Sequence, residues 1–187
     1  SIYPMVPGHE IVGKVAAVGT AVTKFKVGDI AAVGVMVDSC RTCKNCEKQM
    51  EQYCVEGMTG TYNGYERDKK TMTQGGYSSA IVTDERWVYH VSDKLDMAAT
   101  APLLCAGITT YSPLKYWKVT SGMKVGVIGL GGLGHMAVKL AKAMGAQVVL
   151  FTTSENKIQD GLKLGAKEVI LSTNLKEMKT RASSLDL

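Results

Sequence analysis

The chain has 187 residues, of which 45% are hydrophobic and 21% charged, and its formal net charge is +5. This composition is typical of a globular protein, and the length suffices for one large or two small domains. No apolar run approaches the roughly 18 residues of a membrane span, and no signal peptide opens the chain, so we expect a cytoplasmic protein without a membrane partner. The lysines are scattered and only 6% of the residues are aromatic, which argues against nucleic-acid binding.

The first part of the chain is predicted to be a small β-barrel. Two apolar segments, 11–19 and 30–37, are separated by glycine-containing turns, and this spacing is typical of short antiparallel strands. His9 and Glu10 stand immediately before the first of these strands. Taken by itself, such a pair is more typical of a structural histidine beside a surface acid than of a metal site.

Four closely spaced cysteines form the strongest local pattern in the sequence. Their spacing is Cys40-x-x-Cys43-x-x-Cys46-x7-Cys54, which is typical of a closed tetrahedral zinc site that folds a lobe, here residues 38–56. Two disulfides are the first alternative, but the odd total of five cysteines and the lack of a secretory signal argue against them. An iron–sulfur cluster is the second alternative, and its characteristic bacterial spacing ends differently.

The middle of the chain is predicted to pass from loop to strand to helix. Residues 57–76 are polar and rich in glycine, which indicates a loop region, and segments 77–83 and 86–91 are predicted strands. The apolar segment 97–117 is prone to form helix and carries the fifth cysteine. Taken alone, this Cys105 is typical of a buried apolar thiol.

A glycine-rich loop follows a short apolar strand at 125–129 and opens a helical pattern, in which the apolar stripe begins at Leu133 and runs to Met144. In this context Gly129 allows the tight turn, Gly131 lets a pyrophosphate approach the backbone, and Gly134 permits close packing of helix and strand. An ordinary glycine-rich turn is the alternative, but the order strand, loop, helix, strand favours dinucleotide binding. The expected cofactor-binding loop comprises Gly129, Leu130, Gly131, Gly132, Leu133 and Gly134.

The end of the next predicted strand, 147–153, indicates which dinucleotide binds. An NAD site usually places an acidic residue there to hold the ribose 2′-hydroxyl. This chain instead has Thr152, Thr153 and Ser154, followed by Lys157. Hydroxyl donors and a cation suit a 2′-phosphate, so we expect NADP rather than NAD. Capping of the following helix is a second role that the same hydroxyls could serve.

These pieces occur in the order found in a known family. The combination resembles the zinc-dependent medium-chain alcohol dehydrogenases, and more narrowly the cinnamyl alcohol dehydrogenase branch with its bacterial aldehyde-reductase relatives. The resemblance implies a mixed fold: a GroES-like β-barrel catalytic domain over 1–108 with a structural zinc lobe, followed by a partial α/β Rossmann domain over 109–187. The motifs that carry it are Gly-His-Glu at 8–10, the four cysteines, TYNG at 61–64, GGYS at 75–78, APLLCAGITTYSPL at 101–114 and the glycine loop.

The resemblance also implies the site and the reaction. His9 and Cys105 would be ligands of a catalytic zinc, Glu10 would be a neighbouring or exchangeable ligand, and Thr109 would lie against the nicotinamide. The implied activity is zinc- and NADP-dependent hydride transfer between a small primary alcohol and its aldehyde, with reduction as the expected direction. A homodimer or larger homo-oligomer is expected. The alternatives are a zinc- and nucleotide-binding fragment without activity, and a quinone or enoyl reductase relative, which would lack the zinc.

The resemblance finally implies an internal fragment. Members of the family carry an upstream segment that supplies the first catalytic zinc ligand and the proton relay, and the chain begins after it. Three strands, at 125–129, 147–153 and 168–171, make only half of a six-stranded Rossmann sheet, and a fourth is expected to begin at 185–187. The functional expectation therefore concerns the parent protein.

Overall fold

The pairing of the strands changes along the chain from antiparallel to parallel, in step with its division into two units. The computed structural model describes residues 1–187, and the two units are Ser1–Cys105 and Ala106–Leu187. The sequence-based boundary between 108 and 109 lies three residues later, because a helix that begins at Ala106 belongs wholly to the second unit. No helix of the protein is long and apolar enough to cross a membrane.

The first unit contains short strands that form two antiparallel sheets. One sheet has the order β1-β2-β5, and the other pairs β3 with β4. Short 3₁₀ turns connect these elements at Glu51–Tyr53, Glu85–Trp87 and Ala101–Leu104. The elements are β1 (Ile11–Lys14), β2 (Ile30–Val33), β3 (Met36–Asp38), α1 (Lys44–Glu47), β4 (Thr59–Gly60), β5 (Val88–His90) and α2 (Met97–Thr100).

Four strand predictions need correction. The predicted strand 11–19 is shortened to β1, because its ladder with β2 ends at the pair of Lys14 and Ile30. Segment 77–83 forms no strand, because its apolar residues have no neighbouring strand with which to build a ladder. The predicted strand 30–37 is two strands, which are separated by residues 34–35. The backbone around Leu104 approaches the chain at this break, since a Cβ added to Gly34 would lie 3.3 Å from the carbonyl oxygen of Leu104. The predicted strand 86–91 is shortened to β5, because a 3₁₀ turn occupies its first residues.

The second unit has the expected α/β alternation. Its three strands are parallel in the order β6-β7-β8, and the main chain of residues 186–187 bonds to the other edge of β6, where a fourth strand was expected. The elements are α3 (Ala106–Tyr116), β6 (Lys124–Ile128), α4 (Gly132–Ala143), β7 (Gln147–Thr152), α5 (Ile158–Leu164), β8 (Glu168–Leu171) and α6 (Leu175–Thr180). The predicted fold class, with half of a Rossmann sheet after a β-rich domain, is confirmed.

Alternating side chains bury both faces of this sheet. In β7, Val148 and Leu150 belong to the larger apolar cluster, whereas Val149 and Phe151 belong to a smaller cluster with Ile170 on the opposite face. Since a parallel strand is covered on both sides, it reads as a continuous apolar run, and this is the pattern seen in the sequence. The stack of α4 against β6 and β7 fixes the loop between β6 and α4.

The apolar face of α4 differs from the predicted one by part of a turn. Val138 and Ala141 are fully buried, and Ala137, Leu140 and Met144 pack around the same cluster. Leu133, which was predicted to begin the apolar stripe, is 51% exposed. The reason is its place in the first turn of α4, which projects beyond the edge of the sheet beside the glycine loop.

Both apolar clusters lie in the second unit, so the first unit depends more on polar contacts. Glu85 gives a clear example, because its carboxylate accepts hydrogen bonds from the backbone N–H groups of Lys24 (2.8 Å) and Thr23 (3.0 Å). These bonds, that of Lys24 above all, lower the pKa of Glu85. The carboxylate thereby ties the loop before β2 to the turn that precedes the buried Trp87.

We predict that Glu85→Ala lowers the melting temperature of the protein by a few degrees at neutral pH, because two backbone N–H groups lose their acceptor. The folded-state pKa is depressed, so the contribution of Glu85 is present above the unfolded pKa of about 4.3 and is lost as the pH falls through the folded value. Melting curves between pH 7 and pH 3 should therefore converge for the variant and the wild type. Glu66→Ala is the control, since that carboxylate makes no hydrogen bond; an equal effect of both variants would contradict the prediction.

Candidate functional site

The four cysteines of the predicted zinc lobe lie together. Their sulfur atoms are all within 4.8 Å of one another, and none is in a disulfide. A tetrahedral zinc with Zn–S bonds of about 2.3 Å requires sulfurs about 3.8 Å apart. The observed separations are 3.8 Å for Cys40 and Cys46 and 3.5 Å for Cys43 and Cys46. The donor set and its spacing therefore fit a zinc ion.

Local backbone geometry gathers these sulfurs. Cys43 is the residue before α1 and Cys46 lies within that helix, so both point to the same side of its single turn. The left-handed Arg41, with a φ of 67°, turns the chain between the first two ligands. Backbone N–H groups also approach the sulfurs: that of Cys43 lies 3.3 Å from the sulfur of Cys40, and that of Cys40 lies 3.5 Å from the sulfur of Cys54.

The thiols are electrostatically unequal. The backbone N–H of Val55, followed by that of Cys46, lowers the pKa of Cys43 to about 6. The hydroxyl of Ser39 favours the Cys46 thiolate, but burial and the neighbouring thiols outweigh it and raise the pKa of Cys46 to about 11. The thiolate is thus favoured at Cys43 and disfavoured at Cys46 in the metal-free cluster, and a bound zinc would supply the charge that deprotonates the thiols.

Ion pairs attach the zinc lobe to the rest of the first unit. The guanidinium of Arg41 contacts Asp38 (2.8 Å) and Asp84 (3.0 Å), and Arg86 lies 3.5 Å from Glu51. Asp84 also accepts the backbone N–H of Arg86 at 2.9 Å, so one carboxylate serves both the lobe and the turn before β5. Exposed pairs contribute little one by one, and the connected set holds the lobe in place.

The segment that carries His9 is held by backbone contacts. Gly8 has a φ of +106°, and the N–H groups of Gly75, Gly76 and Tyr77 donate to the carbonyl groups of residues 6–8. A Cβ on Gly75 would lie 2.3 Å from the carbonyl oxygen of Gly8, and one on Gly76 would lie 2.4 Å from a side-chain carbon of Ile11. The double glycine of the GGYS motif therefore makes this approach possible.

The predicted catalytic residues of the first unit, His9, Glu10 and Cys105, have different surroundings. The imidazole of His9 stacks on Tyr62 with ring centroids 5.8 Å apart. Burial raises the pKa of Cys105, and the negative charge of Glu10 raises it further. The three side chains His9, Glu10 and Cys105 do not form a cluster of ligand atoms like that of the four cysteines, so their shared metal site stays a prediction.

The glycine loop of the second unit has the geometry that its sequence predicts. Gly129 has a φ of +83°, as the tight turn requires. A Cβ on Gly134 would lie 1.9 Å from the carbonyl oxygen of Gly129, so only glycine allows α4 to pack this closely. Gly131 and Gly132 are exposed with open space beside them, and the N–H groups of the first turn of α4 have no partner within the helix. An anion can therefore reach these donors.

The end of β7 lies beside this loop. Lys157 donates from its ammonium group to the carbonyl oxygen of Leu130 at 3.2 Å, which links the two predicted parts of the cofactor site. Thr153 is exposed and Ser154 half-buried, whereas Thr152 is only 5% exposed and its hydroxyl accepts the backbone N–H of Ser154 at 3.2 Å. Thr153 and Ser154 are thus the accessible hydroxyls, and Thr152 shapes the turn that presents them.

Electrostatics favour an anionic ligand in the second unit. Of the 22 lysines and arginines, 11 fall in residues 106–187, together with only five of the 17 acidic residues. Thr109 belongs to this unit and is an exposed residue of α3. Its predicted contact with a nicotinamide stays a prediction.

Sequence reasoning missed two residues that the structure places at these sites, Tyr62 and Ser39, and it missed one contact of Leu130, which it had assigned to the cofactor loop. Tyr62 stacks on His9, Ser39 contacts Cys46, and Leu130 accepts a bond from Lys157 through its carbonyl group. The TYNG motif did contain Tyr62, and its position in a polar loop was the available signal. Main-chain acceptors such as that of Leu130 leave no mark in the residue type.

The comparisons with known proteins cover almost the entire chain. Residues 1–93 match the alcohol dehydrogenase GroES-like domain, and residues 132–185 match the zinc-binding dehydrogenase domain. NADP-dependent alcohol dehydrogenase C 1 of Mycolicibacterium smegmatis is 57% identical over 99% of the chain and 53% of its own length. Aldehyde reductase YahK of Escherichia coli is 54% identical over 100% of the chain and 53% of its own length.

The chain is also similar to a solved structure. The structure of CAD from Helicobacter pylori complexed with NADP(H) is 51% identical and superposes with a TM-score of 0.86, over 91% of this chain and 49% of that one. The chain thus spans about half the length of the relatives that it matches.

We predict that Cys43→Ala removes about one zinc ion per chain and lowers the melting temperature, since three thiolates leave the tetrahedral set incomplete. Metal analysis of the purified chain and a thermal melt measure both effects. Thr42→Ala is the matched control, because its hydroxyl lies in the same lobe but bonds the Cys40 carbonyl and no sulfur, so the zinc should stay in place. Full zinc content and unchanged melting in Cys43→Ala would show that the cluster holds no metal.

Proposed function

Because the chain belongs to the zinc-binding alcohol dehydrogenases, which join a GroES-like domain to a zinc-binding dehydrogenase domain, we propose that the protein interconverts a primary alcohol and its aldehyde with NADP(H). The observation that carries this proposal is the second unit's glycine loop, which lies beside two accessible hydroxyls and a lysine. The proposal concerns the whole protein, because the relatives are about twice as long as this chain.

The first unit supplies the proposed substrate-binding metal centre through His9, Glu10 and Cys105. Imidazole, carboxylate and thiolate are all zinc ligands, and a bound zinc with an open position polarises an aldehyde carbonyl or favours the alkoxide of an alcohol. The stack of His9 on Tyr62 orients the imidazole. The negative charge of Glu10 raises the pKa of Cys105 and so favours its protonated thiol. A bound cation would remove this repulsion, because it attracts both the carboxylate and the thiolate.

The second unit holds the proposed dinucleotide. The exposed backbone of Gly131 and Gly132 and the N-terminus of α4 offer N–H donors and a partial positive charge to the pyrophosphate. The nicotinamide supplies the hydride chemistry when it is bound, and the loop and helix hold and orient it. Thr109 is the proposed neighbour of the nicotinamide.

Selection of NADP is proposed to depend on Thr153, Ser154 and Lys157. The two hydroxyls donate to the 2′-phosphate, and the ammonium group balances its charge. Without cofactor, the ammonium group of Lys157 donates a hydrogen bond to the carbonyl oxygen of Leu130, so its positive charge lies at the glycine loop before the cofactor binds. Thr152 contributes through the turn, since its hydroxyl is engaged with Ser154.

Aldehyde reduction is the proposed direction, and cinnamyl-type or other small aldehydes are the proposed substrates. The name of the Escherichia coli relative, an aldehyde reductase, and the NADP(H) in the Helicobacter pylori structure support this choice. The four-cysteine cluster disfavours a zinc-free quinone or enoyl reductase. We also propose a cytoplasmic location, which five free cysteines support, and a homo-oligomeric state, which rests on family resemblance.

The reaction is tested with the protein as its gene encodes it, by following NADPH oxidation with cinnamaldehyde. We expect His9→Ala to lower the turnover at least about 100-fold, because the metal loses a ligand, while NADPH binds as before. Tyr62→Phe is the control, since it keeps the aromatic ring on which His9 stacks. NADPH and zinc binding without turnover in the wild type would favour the alternative of a binding module.

Cofactor preference is tested by titrating the chain with NADP and NAD. We expect Lys157→Ala to weaken NADP binding by roughly one to two decades, because a charge-assisted bond to the 2′-phosphate is lost. NAD should weaken much less, through the lost bond to the Leu130 carbonyl alone. Lys163→Ala removes a cation from the exposed side of α5 and is the matched control. Equal losses for the two cofactors in Lys157→Ala would mean that the lysine only holds the loop.

A further inference from the structure

Ser39 is a buried serine that faces the four-cysteine cluster. It precedes the first ligand, Cys40, and only 1% of its surface is exposed. Its hydroxyl oxygen lies 3.4 Å from the sulfur of Cys46, which is itself completely buried. No other ligand of the cluster has a side-chain hydroxyl within hydrogen-bond reach of its sulfur.

The hydroxyl group of Ser39 has one hydrogen-bonding partner apart from a backbone N–H, and that partner is the sulfur of Cys46. A serine offers one O–H donor and two acceptor lone pairs. The oxygen of Ser39 accepts the backbone N–H of Arg41 at 3.2 Å, and its only other contact is the sulfur of Cys46. In the metal-free cluster the Cys46 thiol donates to Ser39. A zinc-bound thiolate has no proton to donate, so the hydroxyl must turn its own proton toward the sulfur.

The turn that carries Ser39 is fixed by its neighbours. One carboxylate oxygen of Asp38 accepts both the backbone N–H of Ser39 (2.7 Å) and the Nε–H of Arg41 (2.8 Å). Arg41 adopts the left-handed conformation that directs its backbone N–H to the hydroxyl of Ser39. The oxygen of Ser39 is therefore held beside the sulfur before zinc binds, so only the O–H proton has to rotate and little entropy is lost when it donates to the thiolate.

We propose that Ser39 is a positioning residue of the structural zinc centre, in which its hydroxyl donates a hydrogen bond to the zinc-bound thiolate of Cys46. Cys46 is the least favourable thiolate position in the cluster on grounds of burial, since it has no access to water. A donor in direct contact offsets that desolvation. The inference concerns the four-cysteine zinc alone and does not depend on the proposed catalysis.

The first test compares Ser39→Ala with Thr42→Ala by chelator competition for zinc on the intact chain. Loss of a hydrogen-bonding partner of a metal ligand typically weakens metal binding about 10–100-fold, and we expect this loss for Ser39→Ala. The hydroxyl of Thr42 lies in the same lobe but bonds the Cys40 carbonyl, so Thr42→Ala should stay close to the wild-type affinity. Wild-type zinc affinity in Ser39→Ala, or an equal loss in both variants, would overturn the proposal.

A second pair keeps the volume of the side chain constant. Ser39→Thr and Ser39→Val have the same shape and differ in the hydroxyl, so folding defects caused by the added methyl group affect both equally. With cobalt as the probe, the sulfur-to-cobalt charge-transfer band should shift between the two variants, and Ser39→Thr should bind cobalt about 10-fold or more tightly than Ser39→Val. Identical bands and affinities in this pair would show that the hydroxyl does not touch the thiolate.

Discussion

The first unit depends on the convergence of four sulfur atoms within a few ångströms. Both apolar clusters of the protein lie in the second unit, whereas the first unit has only scattered buried residues such as Phe25 and Trp87. A domain with so little core gains its rigidity from cross-links, and a metal that closes the 15 residues from Cys40 through Cys54 acts as one. The ion pairs of Arg41 then transmit this rigidity to the strand that ends in His90.

Much of the second unit could be predicted from the sequence because its signals are local. A positive φ at Gly129 and a close backbone contact at Gly134 both require glycine. The residue types at these two positions therefore indicate the backbone conformation of the loop between β6 and α4. The buried strand β7 is equally direct, since both its faces are covered. The cysteine spacing predicted its cluster for the same reason: sulfur ligands must be a fixed distance apart.

The remaining features depend on partners that lie far away in sequence. Segment 77–83 has the composition of a strand, but a strand also needs a neighbour to receive its hydrogen bonds. The burial of Thr152 follows from the path of the turn after β7, and the exposure of Leu133 from the edge of the sheet. The stack of His9 on Tyr62 joins residues 53 positions apart in the sequence. A local sequence pattern cannot predict a contact between residues so far apart in the sequence.

The contact between the two glycines at 75–76 and residues 6–8 has a consequence for which positions around His9 can vary. Main-chain atoms alone make these hydrogen bonds, so the location of His9 is insensitive to most of the side chains around it. Neighbouring positions, such as the exposed Tyr77, can therefore vary while the imidazole stays in place. A combinatorial library randomised at such positions but constant at both glycines should therefore keep the backbone of His9 in place in most members.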